Sequence, residues 1–404
     1  MGLIMKLSRL SLTLLVIPCL PVLSHAAELN LTSSTQYLWF QDFVADKQQN
    51  DIAQYLRLNV TKLDKAGKAD FFAYGRATQM ITSDDGLKGR LYYAYFSYRD
   101  AFNDHLDLRA GRTYVNSAAT SGTIDGLFLQ AKNLGPLGLT AYGGREVLFL
   151  NKEEVGSGNA MSGGSVSLDA PKSTHVEVSY GNKFRDGRMS RENVGLDYST
   201  TPVDMFNTYG RLKYDTVSER FNELLFGAKL VPLTDLMLRV EYLETRPTFD
   251  NNSIYRIFEV DKYREINAAV EYQFTPDYRL NLKYAKEYFG EDADANVYDI
   301  GLTARPIKDL TFNGSYEKRD GFSGRLSGFR LNAGYDIAKA KIQAGIDYDD
   351  FTREDSRSDT ATKYWTGVGY QFNKLIGLTA RVEWDVNYRD SDSWQGFTAV
   401  NINY

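Results

Sequence analysis

Residues 376–390 read IGLTARVEWDVNYRD. Leu378, Ala380, Val382, Trp384, Val386 and Tyr388 alternate with Thr379, Arg381, Glu383, Asp385 and Asn387. Successive side chains of a β-strand point to opposite faces, so a period of two marks a strand, whereas a helix repeats near 3.6. One face here is apolar and the other carries charge of both signs. The stretches VYDIGLTARP (297–306) and FRLNAGYDI (329–337) repeat the pattern. In YRLNLKYAKEYFG (278–290), Leu280, Leu282, Tyr284 and Tyr288 share one face, and Asn281, Lys283, Ala285 and Glu287 share the other.

Between these segments lie short reversals such as NLGPLG, DAPKS, TTPVD, FTPDY and RPIKD. Proline, glycine, asparagine and aspartate suit tight turns. Each interval between reversals holds two alternating segments and one longer loop rich in charge or glycine. NKEEVGSGNAMSGG, RPTFDNNSIYRIFEVDK and TREDSRSDTAT are such loops. Ten short turns with both termini at the same end predict about 22 strands, within a range of 18–22. The expected fold is all-β, an antiparallel up-and-down barrel without helical crossovers.

The 404 residues carry a formal net charge of -5, with both signs interleaved, which excludes a basic nucleic-acid surface and an acidic disordered arm. At the N-terminus, Lys6 and Arg9 precede the apolar run LSLTLLVIPCLPVL and the small residues of SHA. That order describes a secretory signal peptide over residues 1–26, followed by a barrel over 27–404. Met5 is an alternative start. Cys19 is the sole cysteine and lies within the leader, so the mature chain is expected to have no disulfide and no thiolate-held metal.

An exported chain with such strands is either a soluble β-protein or a membrane barrel. In a soluble sheet the apolar face is buried against another sheet, whereas here the opposite face is too charged to form a dry core. A closed barrel in lipid requires the inverse, apolar outside and wet inside, and strands near ten residues suffice to cross the hydrocarbon at a tilt. The 28 tyrosines and 22 phenylalanines supply rings for the interfacial girdles. Tyr37, Trp39 and Phe40 near one strand end, and Tyr370 and Phe372 near another, are candidates. Closure also removes the unpaired edges that lipid cannot solvate, so the last strand, 394–404, is expected to pair with the first.

The chain ends WQGFTAVNINY, with Val400, Ile402 and Tyr404 on one face. An amphipathic final strand ending in an aromatic resembles the C-terminal signal of Gram-negative outer-membrane barrels, which the barrel-assembly machinery reads. The commonest final residue in that family is phenylalanine, and Tyr404 departs from it. The hairpin LDLRAGRTYV … TIDGLFLQAK (106–132) is similar to the Gly-Arg strand and following Asp-Gly strand of many porins. With the leader and the alternation over 28–404, the chain resembles porin-like barrels. The resemblance implies an outer-membrane location, contact with lipid and lipopolysaccharide, and a channel. It does not identify the solute.

No catalytic set is legible, and the chain is read as non-enzymatic. His105 falls in the AFNDH turn, and His175 shares a strand face with Glu177 and Ser179, which neighbouring strand positions alone cannot turn into a nucleophile–base pair. DYDD (347–350) and EDADAN (291–296) gather carboxylates that could hold Ca²⁺ at the rim, though solvated loop charge is the simpler reading. No cofactor is implied: GSGNAMSGG lacks the Gly-Lys-[Ser/Thr] ending of a phosphate loop.

The inward charges are therefore the candidate site: Arg211, Lys213, Arg239, Glu241, Lys283, Arg305, Glu317, Arg330, Asp347, Arg381, Glu383 and Asp385. Mixed signs predict a transverse field together with wall-stiffening ion pairs, and no single-sign ring from which to argue charge selectivity. The third outer loop, TYVNSAATSGT (113–123), is shorter than the constriction loop of common porins. A ring of 22 strands is wide, so it stays open, narrows itself with loops such as 148–163 or 247–262, or encloses a partner. The expected function is passive diffusion of small hydrophilic solutes or ions. The alternative is a barrel sheath around a periplasmic multihaem cytochrome in an electron-transfer complex. Whether the chain forms a homotrimer is left open.

Overall fold

The computed structural model describes residues 27–42, 47–82, 86–149, 153–154, 158–247, 262–291, 293–322, 324–352, 358–387 and 392–404. The expected leader and parts of the two candidate narrowing loops lie outside these residues.

The chain runs through β1 (Glu28–Asp42), β2 (Lys47–Thr61), β3 (Ala69–Met80), β4 (Lys88–Asp100), β5 (Leu106–Asn116), β6 (Ser121–Leu134) and β7 (Leu137–Phe149). A two-residue β8 (Glu153–Glu154) precedes β9 (Ala160–Ala170), β10 (Thr174–Arg185), β11 (Arg188–Val203) and β12 (Phe206–Asp215). Then follow β13 (Arg220–Leu233), β14 (Leu236–Thr245), β15 (Tyr263–Thr275), β16 (Tyr278–Phe289), β17 (Ala293–Ile307) and β18 (Leu310–Gly321). β19 (Gly324–Ile337), β20 (Ala340–Thr352), β21 (Ser358–Gln371), β22 (Ile376–Asn387) and β23 (Ser393–Asn403) complete it.

β8 pairs only with the end of β7, and the other 22 strands form one closed antiparallel up-and-down barrel. The strand count expected from the turns is thus met. Closure joins β1 to β23, from Thr32 opposite Asn403 to Trp39 opposite Gly396. Leu31 and Tyr404 exchange both backbone hydrogen bonds, at 2.7 and 2.8 Å. The ending in mid-alternation is therefore the last stave of the wall, and Tyr404 points outward with Ile402 and Val400.

The turn chemistry sets one end of the ring. Asp64 accepts from the backbone N–H groups of Lys68 and Ala69, at 2.7 and 2.9 Å, tying the β2–β3 reversal. These hydrogen bonds, that from Ala69 foremost, hold the Asp64 carboxyl below the usual range. At AFNDH, Asp100, Phe102, Asn103 and Asp104 all take positive φ, so the chain reverses through consecutive left-handed residues rather than a helix.

The outward face is apolar along most of the wall: Val178, Phe226, Val240, Ile300, Leu331 and Tyr364 are exposed on it. No helix among the described residues is long and apolar enough to cross a membrane. Inside, a small cluster of Val115, Ile124, Tyr142 and Met161, with Phe128 beside it, packs near the tip of the β5–β6 hairpin.

Candidate functional site

Register decides which side chains meet inside the ring. On β12, Arg211 and Lys213 stand opposite Asp197 and Gly195 of β11, and Arg211 pairs with Asp197 at 2.9 Å. On β14, Arg239 lies 3.6 Å from Glu241, which also accepts the Tyr209 hydroxyl hydrogen bond at 2.5 Å. Lys283, Asp299 and Glu317 form one row across β16, β17 and β18. Arg330 faces Asp347 across β19 and β20, but its guanidinium reaches Asp349, at 3.3 Å. Lys363 of β21 lies 3.3 Å from Glu383 and 3.8 Å from Asp385. Arg381 pairs with Glu383 at 2.6 Å and stands 4.2 Å over the Trp365 ring. Arg305 is set apart. It lies beyond the register shift that ends the regular β17–β18 pairing at Ala304, exposed at the short-turn rim.

Each of these ion pairs is partly wet, so it is worth about 0–1 kcal/mol. Their larger effect is to fix side-chain positions along the wall. DYDD is split by the alternation: Asp347 and Asp349 share the inner face, while Asp350 points away. No group of three metal-ligating side chains gathers among the described residues. His105 is exposed in its turn. His175 contacts Asp169 at 2.7 Å, whereas Ser179 accepts a hydrogen bond from the Ala119 backbone N–H.

That last contact corrects the reading of the third outer loop. The loop is short, yet it bends into the lumen. Ala119 is 0% exposed, and its N–H lies 3.0 Å from Ser179 Oγ on the facing inner wall. Gly195 leaves room for the backbone of Ala118 and Ala119, and Gly181 for the Thr120 methyl group. Lys183 donates to the Ser121 carbonyl at 2.8 Å and to Glu146 at 3.0 Å, and Arg185 meets the same carboxylate at 3.1 Å. Loop length misleads here because glycines on β10 and β11 provide a shallow seat, so a few residues suffice to reach it.

The lining of β2–β6 was not legible in the sequence as a site. Register places Tyr55 and Arg57 of β2 on the same inner face as Phe72, Tyr74 and Arg76 of β3. Tyr95 of β4, Arg109 of β5 and Phe128 of β6 continue it. Arg57 stands 5.1 Å over Tyr74, Arg76 6.0 Å over Tyr55, and Arg109 4.7 Å over Phe128 and 6.0 Å over Tyr95. Tyr55 and Tyr74 stack at 6.4 Å, and Phe72 lies 5.3 Å from Tyr95. The usable signal was the repeated Tyr-x-Arg spacing of Tyr55–Arg57 and Tyr74–Arg76. It was masked because LYYAYFSYR (91–99) carries rings on both faces, which erases the polar/apolar alternation.

The sequence matches no known family and no curated protein. Among solved structures, the chain is similar to the outer membrane protein OpdK of Pseudomonas aeruginosa, at 12% identity over 94% of this chain and 98% of that one, with a TM-score of 0.48. It is similar in the same degree to OccK5 (OpdH) of that organism, at 12% identity over 93% and 97%, TM-score 0.48. OpdQ of Pseudomonas aeruginosa is also similar, at 12% identity over 94% and 99%, TM-score 0.46. At these values none of them bears on what this chain transports.

Proposed function

We propose that this chain, a Gram-negative outer-membrane β-barrel of porin-like build, is a passive channel for small hydrophilic solutes or ions. The observation that carries the reading is the inversion of the wall. Exposed Leu, Val, Ile, Phe and Tyr face outward on a ring without a free edge, while Arg, Lys, Glu, Asp and Asn face inward in registered rows. A polar lining inside a lipid-facing barrel is what a water-filled path requires.

Width and constriction fit this role. A circular ring of 22 strands spaced about 4.8 Å apart and tilted roughly 40° measures about 44 Å between opposite backbones. Side chains and the inward β5–β6 tip reduce that span. The tip supports a solute channel over a sheath for a cytochrome, because it occupies lumen that an enclosed partner would need.

The lumen is also polarised. The arc β2–β6 presents arginines against rings, and the arc β15–β18, about halfway round, presents Glu265, Asp299 and Glu317 with Lys283 and the Arg319–Glu287 pair among them, an excess of acid over base. Such opposed walls orient dipolar solutes in transit. The eleven inward-charge candidates other than Arg305 act here as lining. Val400, Ile402 and Tyr404 serve as the assembly signal, and the expected leader directs export.

The test is reconstitution of the mature chain alone in planar bilayers. Stepwise, ohmic conductance is expected. A correctly folded barrel that gives no conductance steps while co-purifying with haem absorbance would sink the channel reading in favour of the sheath.

A further inference from the structure

We infer that the inner face of β2–β6 is a binding strip for planar aromatic anions, a substrate class for the channel proposed above, on which this inference rests. Three arginines on this face, Arg57, Arg76 and Arg109, form no ion pair with a carboxylate among the described residues. Their close neighbours are rings. The arginines elsewhere on the inner wall differ. Arg211, Arg239, Arg319, Arg330 and Arg381 each sit within ion-pair distance of an Asp or Glu.

The geometry gives the two halves of a recognition site. A guanidinium held against a ring keeps its flat face occupied and leaves N–H donors on its edge; Arg76 gives one of them to the Tyr55 hydroxyl, and the donors that remain match a carboxylate or sulfonate. The rings run continuously beside it. Tyr55 stacks on Tyr74, Tyr74 lies 4.9 Å from Tyr92 and 5.7 Å from Tyr93, and Phe72 meets Tyr95. These rings are half-buried, and the surface they leave to the lumen accepts a planar apolar body in offset stacking. Arg109 and Phe128 lie on the β5–β6 hairpin whose tip narrows the lumen, so a bound anion is positioned beside the constriction. An aliphatic anion of equal charge meets the guanidinium edge alone, and an aromatic cation meets the rings but is repelled by the arginines.

The strip can be tested by equilibrium binding to the folded full-length barrel in detergent, read from quenching of ligand fluorescence or by calorimetry. The probes are 2-naphthoate, cyclohexanecarboxylate and 2-naphthylmethylammonium, each against a detergent blank. We expect 2-naphthoate to bind at least tenfold more tightly than either of the others. Arg76→Gln and Tyr74→Leu are each expected to weaken it at least fivefold, while Arg325→Gln, at the end of β19 and paired with Asp320, leaves it within twofold. Retention of the heat-shifted band on unboiled gels shows that each variant is folded. Equal binding of cyclohexanecarboxylate, or binding indifferent to Arg76→Gln and Tyr74→Leu, would overturn the inference. Because this readout needs no ion flow, its failure is separable from failure of the channel reading, which bilayer conductance reports.

Discussion

Arg57, Arg76 and Arg109 show how one residue type takes two roles inside a single wall. Where a carboxylate stands across the register, as Asp197 does for Arg211, the cation is neutralised and the pair holds the wall in place. Where a ring stands there instead, the positive field reaches into the water. A unit charge about 6 Å from a permeating ion in water-like dielectric is worth roughly 0.7 kcal/mol, or about threefold. Because the same charge attracts chloride and repels potassium, each of Arg57→Gln, Arg76→Gln and Arg109→Gln should lower the chloride-to-potassium permeability ratio by up to about tenfold, read as reversal potential under a salt gradient. Arg211→Gln should change it less, since it uncovers Asp197 as it removes a charge already matched. Asp64 acts outside the membrane-crossing segments. Its folded-state pKa lies below the unfolded value, so its ionised form contributes stability above the unfolded pKa, and that contribution fades as pH falls through the folded pKa. Asp64→Asn should flatten the acid limb of a pH series of thermal melts in detergent, with little change at neutral pH.

Among the elements, the β4–β5–β6 region carries a backbone constraint at Gly111. β4 and β5 pair over a short span, Ala94–Tyr98 against Arg112–Leu108. At the end of that span Gly111 takes φ 122, and a Cβ there would press on the Ala94 carbonyl and lie 3.0 Å from the Tyr95 Cα. Gly111→Val combines that clash with a backbone region costly to L-residues, together about 1–3 kcal/mol. It should reduce the yield of heat-modifiable barrel. The closing strand makes a second test. Removing Tyr404 deletes both backbone hydrogen bonds to Leu31 and the last outward aromatic, so less folded protein should reach the outer membrane fraction. Equal yield from the truncated chain would remove Tyr404 from the assembly signal. Elements of this kind were readable in advance: Ile376–Asn387 of the alternating stretch form β22, and the final residues form β23 with its cap. The inward bend of the β5–β6 tip was not readable, because its seat on Ser179 and Gly195 lies about sixty residues downstream.

At the scale of the whole molecule, the inversion of the wall makes a paired prediction. Ile300 is half exposed on the outer face of β17, while Asn281 lies on the inner face of β16, opposite Gly301. Ile300→Arg places a cation against hydrocarbon and should destabilise the barrel by about 2–4 kcal/mol, read by denaturant titration in lipid vesicles. Asn281→Arg places the same cation in the lumen and should leave stability nearly unchanged while altering conductance. Equal effects at both sites would mean that the faces are not separated into lipid and water as the fold requires.

Alternation along the strands and the chemistry of the turns determined the class, the strand number and the inner or outer side of most residues in β12–β23. These properties are local: each depends on a residue and its neighbours two positions away. The tertiary structure alone decided which arginines are neutralised and which lie bare on rings. It also decided that a short hairpin tip enters the lumen and that Arg305 falls at the rim. Those outcomes follow from register between strands and from where glycines leave room, and a one-residue slip in pairing moves a side chain to the other face. No pattern within a single strand records that alignment.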